Sequence, residues 1–210
     1  MKTQATTGID HPPQNISNLL KTLTQLAYDH GASAAAVIRC QSIPVKDHLA
    51  DLCKPPGCPN YGLAASCPPH VGGPQRFREQ LTRFEHAIVF KIDVRAADLM
   101  GAARPDIFRT LHRIAATIEQ AAVARGCKDA CAFAGGSCKE LFCTDHPSCR
   151  VVQENGPCRY PAEARPSMSG YGIDVFGLMA ALGWPQHRIG DNNHSDDGPT
   201  GSIAGMVLIC

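Results

Sequence analysis

Two stretches of this chain, residues 40–73 and 135–168, carry so much Cys, Pro and Gly that neither continues as helix or strand, and any fold must be built around them. Structureless loops of that length inside a compact domain are usually functional or disordered. Together they hold eight of the 11 cysteines in a chain of 210 residues. An odd number of irregularly spaced thiols flanked by Pro and Gly reads as metal ligands rather than as a disulfide framework, because a chain of this size buries a core without such staples.

The charge balance narrows the partners. Lys and Arg number 20 against 19 Asp and Glu, a formal net charge of +1 with both signs mixed along the chain, so there is no field to gather nucleic acid or an anionic membrane. No apolar run approaches the roughly 20 residues that cross a bilayer, and the start, Met1 to Gly8, lacks the apolar stretch of a secretory signal. A cytoplasmic protein is expected, where reduced thiols persist.

Around the two stretches the apolar pattern is regular. Residues 1–14 are polar, contain Pro12-Pro13 and read as a flexible tail, with one cysteine-rich domain over 15–210. Ile16, Leu19, Leu20, Leu23, Leu26 and Ala27 share a helical face that Gly31 ends, and Ala34 to Arg39 reads as a strand. A helix from Pro74 places Phe77, Leu81 and Phe84 on the core, followed by a strand over 87–94. Pro105 opens a third helix with Ile107, Phe108, Leu111, Ile114, Ala115 and Ile118 as its stripe, closed by Gly126. Ala130 to Ala134 is a weaker strand, Val175 to Leu182 a fourth helix, and Gly205 to Ile209 a terminal strand. Strict alternation of helix and strand predicts an α/β domain: about four strands in a mostly parallel sheet, flanking helices, and two long cysteine-rich loops. In such a sheet both loops leave the same carboxyl edge, where open α/β sheets place their ligands.

Within the later loop, Cys138, Cys143, Cys149 and Cys158 are separated by four, five and eight residues, a spread that suits a polynuclear centre in which each thiolate meets a different iron. A 4Fe–4S cluster fits best; a tetrahedral zinc site would use the same sulfurs, although zinc ribbons favour pairs of tighter knuckles. Within the earlier loop, Cys53, Cys58 and Cys67 form a second set, with Pro after Cys58 and Cys67 turning the chain away from a bound centre. A fourth ligand there is open among His70, Cys40, Cys210, a cysteine of the other loop, or an outside molecule. A cubane on three cysteines leaves one iron open to substrate, as catalytic zinc keeps an open position. Cys127 and Cys131 read as small buried apolar residues.

The residues Cys53, Cys58-Pro59-Asn60-Tyr61-Gly62, Cys67-Pro68-Pro69, Gly135-Gly136-Ser137-Cys138, Cys158-Arg159-Tyr160-Pro161, Ala164 to Met168 and Gly172-Ile173-Asp174-Val175 resemble the predicted metal-binding proteins grouped as domain of unknown function 2284. The resemblance runs from about the first helix to the terminal strand. It implies a metal-binding, iron–sulfur protein of anaerobic or facultative metabolism and carries no settled reaction. Members commonly have a tight Cys-x2-Cys-x2-Cys run after the Gly-Ser, whereas here four residues separate Cys138 from Cys143.

Arg150, Arg159 and Arg165 lie in or beside the later loop, where cations offset thiolate charge, although a solvated surface role fits each as well. Should an anion bind beside the clusters, the start of the fourth helix offers free amides, and Tyr61, His70, His146 and Asp174 are the acid–base candidates. Asp191 to Gly198 lacks the ligand pattern of a calcium loop and reads as a solvated connection. No phosphate-binding loop, dinucleotide fingerprint or serine nucleophile elbow occurs. The expected role is electron transfer, with a redox protein partner, or a redox or Lewis-acid enzyme acting on a small-molecule substrate. The alternative is a zinc-binding structural or metal-handling protein without catalysis.

Overall fold

The computed structural model describes residues 16–185 and 200–210. The expected tail over 1–14 and the Asp191 to Gly198 connection lie outside the described residues. The chain begins with α1 (Ile16–Asp29) and β1 (Ala34–Arg39), then runs through a 3-10 turn, α2 (Asp47–Asp51) and α3 (Gly73–Leu81) to β2 (His86–Arg95). Next come α4 (Ala96–Met100), α5 (Arg104–Ala124), β3 (Cys131–Phe133), α6 (Cys138–Phe142), α7 (Arg150–Glu154), α8 (Val175–Ala181) and β4 (Thr200–Ile209). The long helices and the strands stand where the apolar periodicity puts them. The short helices α2, α6 and α7, of five residues each, lie inside the two loops, where no period is long enough to read.

The mostly parallel sheet is overturned. The strands are ordered β1-β2-β4-β3, and every neighbouring pair is antiparallel. The reason lies in β4. Strands β2 and β3 do run the same way, joined by α5, which at 21 residues is about 32 Å long and crosses the sheet. The terminal strand then enters between them, antiparallel to both, with Val89 and Phe133 both facing Met206 in register. Helix–strand alternation reports a crossover, but not what later fills the gap.

Alternation along β2 divides the core between two faces. Ile88, Phe90 and Ile92 pack with Val207, Ile209, α1 and α5 on one side. Ala87 and Val89 pack with Met206, Leu208, Phe77, Leu178, Met168 and Ile173 on the other. The period-2 rule thus yields three layers, helices over both faces of a buried sheet.

With the sheet antiparallel, the two loops do not leave one common edge. Arg39 ends β1 opposite His86 and hence beside Ile209, while β3 runs from Leu208 toward Met206, so the two strands exit toward opposite ends. The loops meet by direct pairing instead. Val45 bridges Ile173, Ala134 bridges Ser167, and the Ser167 N–H donates to the Ser66 carbonyl at 2.8 Å.

Candidate metal centre

Helix α5 holds the later loop. Arg109 Nε donates to the Leu141 carbonyl at 2.6 Å, Arg113 Nε pairs with Glu163 Oε1 at 2.7 Å, and Gln120 Nε2 donates to the Ala162 carbonyl at 2.8 Å. Fully buried His112 closes the loop at both ends. Its Nδ1 accepts from the Arg165 N–H at 3.1 Å and its Nε2 lies 3.0 Å from the Gly135 carbonyl. With Nδ1 accepting, Nε2 carries the proton and the ring is neutral. Gly136, at φ +81, lets the loop lie against Phe108, whose Cδ1 would stand 2.8 Å from any added Cβ.

Arg165 takes neither role expected of it. It is buried against Glu119, Nη2 to Oε2 at 2.5 Å, and donates to the Pro161 and Ala164 carbonyls. Sequence reading found the apolar stripe of α5 and missed the polar one, whose signal is the recurrence of Arg109, His112, Arg113, Glu119 and Gln120 at helical spacing.

Inside the loop so anchored, Cys138, Cys143, Cys149 and Cys158 line one narrow cavity with Lys139, Arg150 and Arg159. The Arg159 guanidinium is held by the Ser148 carbonyl at 3.1 Å. Burial pushes the Cys138 thiol up to about 11, partly offset by Ser66, whose Oγ–H donates to Cys138 Sγ at 3.1 Å. Burial likewise raises Cys143. Cys149 differs: burial raises it, but the amides of Ala65, Val152 and Val151 and the Arg159 charge outweigh burial and hold its thiol below the usual range. Those amides belong to the start of α7 and to the earlier loop, so one sulfur draws on both loops.

Burial raises Cys53, and Cys58 and Cys67 raise it further. Burial raises Cys67, which Ser137 and Ser66 offset in part. Ser66 Oγ stands 3.8 Å from Cys67 Sγ, while the buried Ser137 hydroxyl acts on that sulfur without closing a hydrogen bond of normal length. Cys67 and Cys138 are thus neighbours through Ser66, and the two thiol sets adjoin. Among the described residues, no three His, Cys, Asp or Glu side chains converge on one point as a preformed single-ion site.

The other cysteines stand apart. Cys127 and Cys210 form a disulfide, so the packing role expected of Cys127 is only half the account and Cys210 is withdrawn as a fourth ligand. Cys40 is buried in the opposite core face, and Cys131 Sγ accepts from Gln80 Nε2 at 2.9 Å. His70 Nε2 lies 3.1 Å from the Gly62 carbonyl. Asp174 caps α8, accepting from the Gly177 N–H at 2.9 Å and pairing with Lys46 at 2.6 Å, so a carboxylate occupies the helix start where an anion was expected. Tyr61 and His146 are half-buried within the two loops, and their backbone N–H groups donate to the Cys58 and Cys143 carbonyls.

The chain that carries these eight thiols on two interlocked loops matches one family: the predicted metal-binding proteins DUF2284, over residues 36–209. The chain belongs to this family. No curated protein and no solved structure matches it. The DUF2284 match spans β1 to β4 and includes both cysteine loops, Ser66 and the polar face of α5. Metal binding is the property predicted for this family, and the chain shares that description with its relatives. Among the described residues no helix is long and apolar enough to cross a membrane.

Proposed function

We propose that Cys138, Cys143, Cys149 and Cys158 hold an iron–sulfur cluster of the 4Fe–4S type, with Cys53, Cys58 and Cys67 as a second thiolate site beside it. The observation that carries this reading is the shared cavity: four sulfurs from separate points of one loop line it, with Lys139, Arg150 and Arg159 around them. That donor set suits the group. Thiolates are its ligands, and three cations offset their charge. A thiol raised by burial is the ordinary state of a ligand before a metal cation arrives and displaces its proton.

When bound, such a cluster supplies one-electron chemistry, and with an incomplete cysteine set it supplies a Lewis-acid iron. The chain's own part is to hold the sulfurs. His112 and Arg109 fix the loop, Ser66 and the Tyr160 N–H, 3.4 Å from Cys158 Sγ, donate to sulfur, and the Arg159 charge lowers Cys149. We read the protein as an electron carrier or as a redox or Lewis-acid enzyme acting on a small molecule.

The cavity, about 10 Å³, admits no more than a water, so a cluster held by these four cysteines would need the loop to open around it. Anaerobic purification with iron, zinc and acid-labile sulfide quantified tests the reading. Iron and sulfide in near-equal amounts, with amide exchange altered over 138–158 on their removal, are expected; zinc without sulfide overturns it. We place the protein in the cytoplasm, where reductants keep such thiols free. The Cys127–Cys210 bridge runs against that placement, and alkylation with mass spectrometry on freshly lysed cells decides it.

A further inference from the structure

A second cleft, of about 480 Å³, is lined by Ala65, the residue before Ser66. Its size falls in the range of small-ligand sites. Three segments build its walls: Ala65 and His70 to Gly72 of the earlier loop, Arg76 to Arg83 on and after α3, and Pro166 at the end of the later loop with Tyr171 just after it.

Its chemistry is cationic. Arg76 and Arg83 line it against one carboxylate, Glu79. Among the described residues Arg76 makes no ion pair, and Arg83 has only a loose contact of 3.7 Å with Asp129 on the exposed surface, a pairing worth little. The Arg76 stem folds across Gly72, where an added Cβ would stand 2.1 Å from its Cδ, so the missing side chain at 72 admits that path. Tyr171 supplies a neutral donor. Its ring is wedged between Phe77 and Phe133, with centroids 5.3 and 5.2 Å away, so its hydroxyl has a fixed position at the cleft wall. A guanidinium fork and a phenol O–H beside each other are the donors that recognise a carboxylate or a phosphate.

The cleft also touches the thiol sites. Ala65 lines it while donating its amide toward Cys149, and Pro166 lines it one residue before Ser167, which holds the Ser66 carbonyl.

We propose that this cleft binds a small oxyanionic metabolite, its carboxylate or phosphate group on Arg76 and Tyr171, with Arg83 at the far end. As a binding site it stands on the cleft alone; as the seat of a substrate it rests on the metal-centre reading. The test is titration of the as-isolated protein with inorganic phosphate and with succinate, followed by amide chemical shifts and calorimetry. Saturable binding of at least one is expected, weakened about tenfold by Arg76→Gln and a few-fold by Tyr171→Phe, while Arg78→Gln, which removes an equal charge from the Asp47 side of the same helix, leaves it unchanged. Equal weakening by the R76Q and R78Q variants, or no saturable binding of either anion, overturns the proposal. Iron-replete protein that ignores both anions refutes the cleft and leaves the metal centre standing; protein that binds phosphate but carries zinc without sulfide refutes only the metal centre.

Discussion

The Ser66 hydroxyl donates to the Sγ of Cys138 at 3.1 Å, across 72 residues of sequence, and so ties the earlier cysteine loop to the first thiol of the later one. Both groups are buried, which shields the bond from solvent. Ser66→Ala removes the donor and leaves the buried sulfur without it. We expect a loss of about 1 to 2 kcal/mol in chemical denaturation and a further rise of the Cys138 thiol, read as slower alkylation of metal-free protein at fixed pH. Unchanged stability together with unchanged alkylation would contradict this role.

His112 sets an acid limit. Burial, the largest cause, lowers its pKa to about 4 from an ordinary 6.5. A histidine whose folded pKa is depressed stabilises the fold fully above 6.5, and that contribution is lost as pH falls through 6.5 toward 4, because the unfolded chain takes up the proton first. The difference amounts to about 3 kcal/mol. Urea midpoints measured from pH 7 to 4 should fall accordingly. A His112→Asn variant should start lower and fall less steeply across the same window.

Buried Arg165 and partly buried Glu119 form a pair that anchors the far end of the later loop. Removing one partner strands the other, so Arg165→Met should cost about 3 to 5 kcal/mol, and Glu119→Gln less, because the amide still accepts from the Ala132 N–H. A double-mutant cycle should give a coupling above about 1 kcal/mol. Additive effects would remove the pair from this account.

The Cys127–Cys210 disulfide closes a loop with a sequence separation of 83 and pins the end of β4. Replacing both with Ala should lower stability by about 2 to 4 kcal/mol without changing metal content. Equal stability of oxidised and reduced wild-type protein would show that the bridge contributes nothing.

Metal content should divide the cysteines into two classes. Ser at 138, 143, 149 or 158 should abolish or sharply reduce bound iron and sulfide, and Ser at 40 or 131 should leave both unchanged, because those sulfurs lie outside the cavity. Loss of iron on Cys40→Ser with normal folding would contradict the assignment.

The elements were legible wherever a run was long enough to show its period. Ile16 to Ala27, the 87–94 strand and the stripe from Ile107 to Ile118 each declare one face to the core, and each forms the expected element. The quartet of the later loop was legible as spacing, and the four sulfurs do line one cavity. Strand direction was not legible, since nothing local to Thr200–Ile209 says that it enters between β2 and β3. His112, Arg109 and Ser66 were overlooked because a polar residue on a helix or in a loop looks solvated until its partner, such as Gly135, Leu141 or Cys138, is brought to it.

By itself, then, the amino-acid order determined the longer helices, the strands, the two irregular loops and the family, because these depend on periodicity and on residues close in sequence. Only the tertiary structure decided that the sheet is antiparallel, that the loops interlock through Ser66 and Ser167, and that Arg76 and Tyr171 face one cleft. Those relationships join residues far apart along the chain, and their energies exist only once burial has excluded water from the contacts between them.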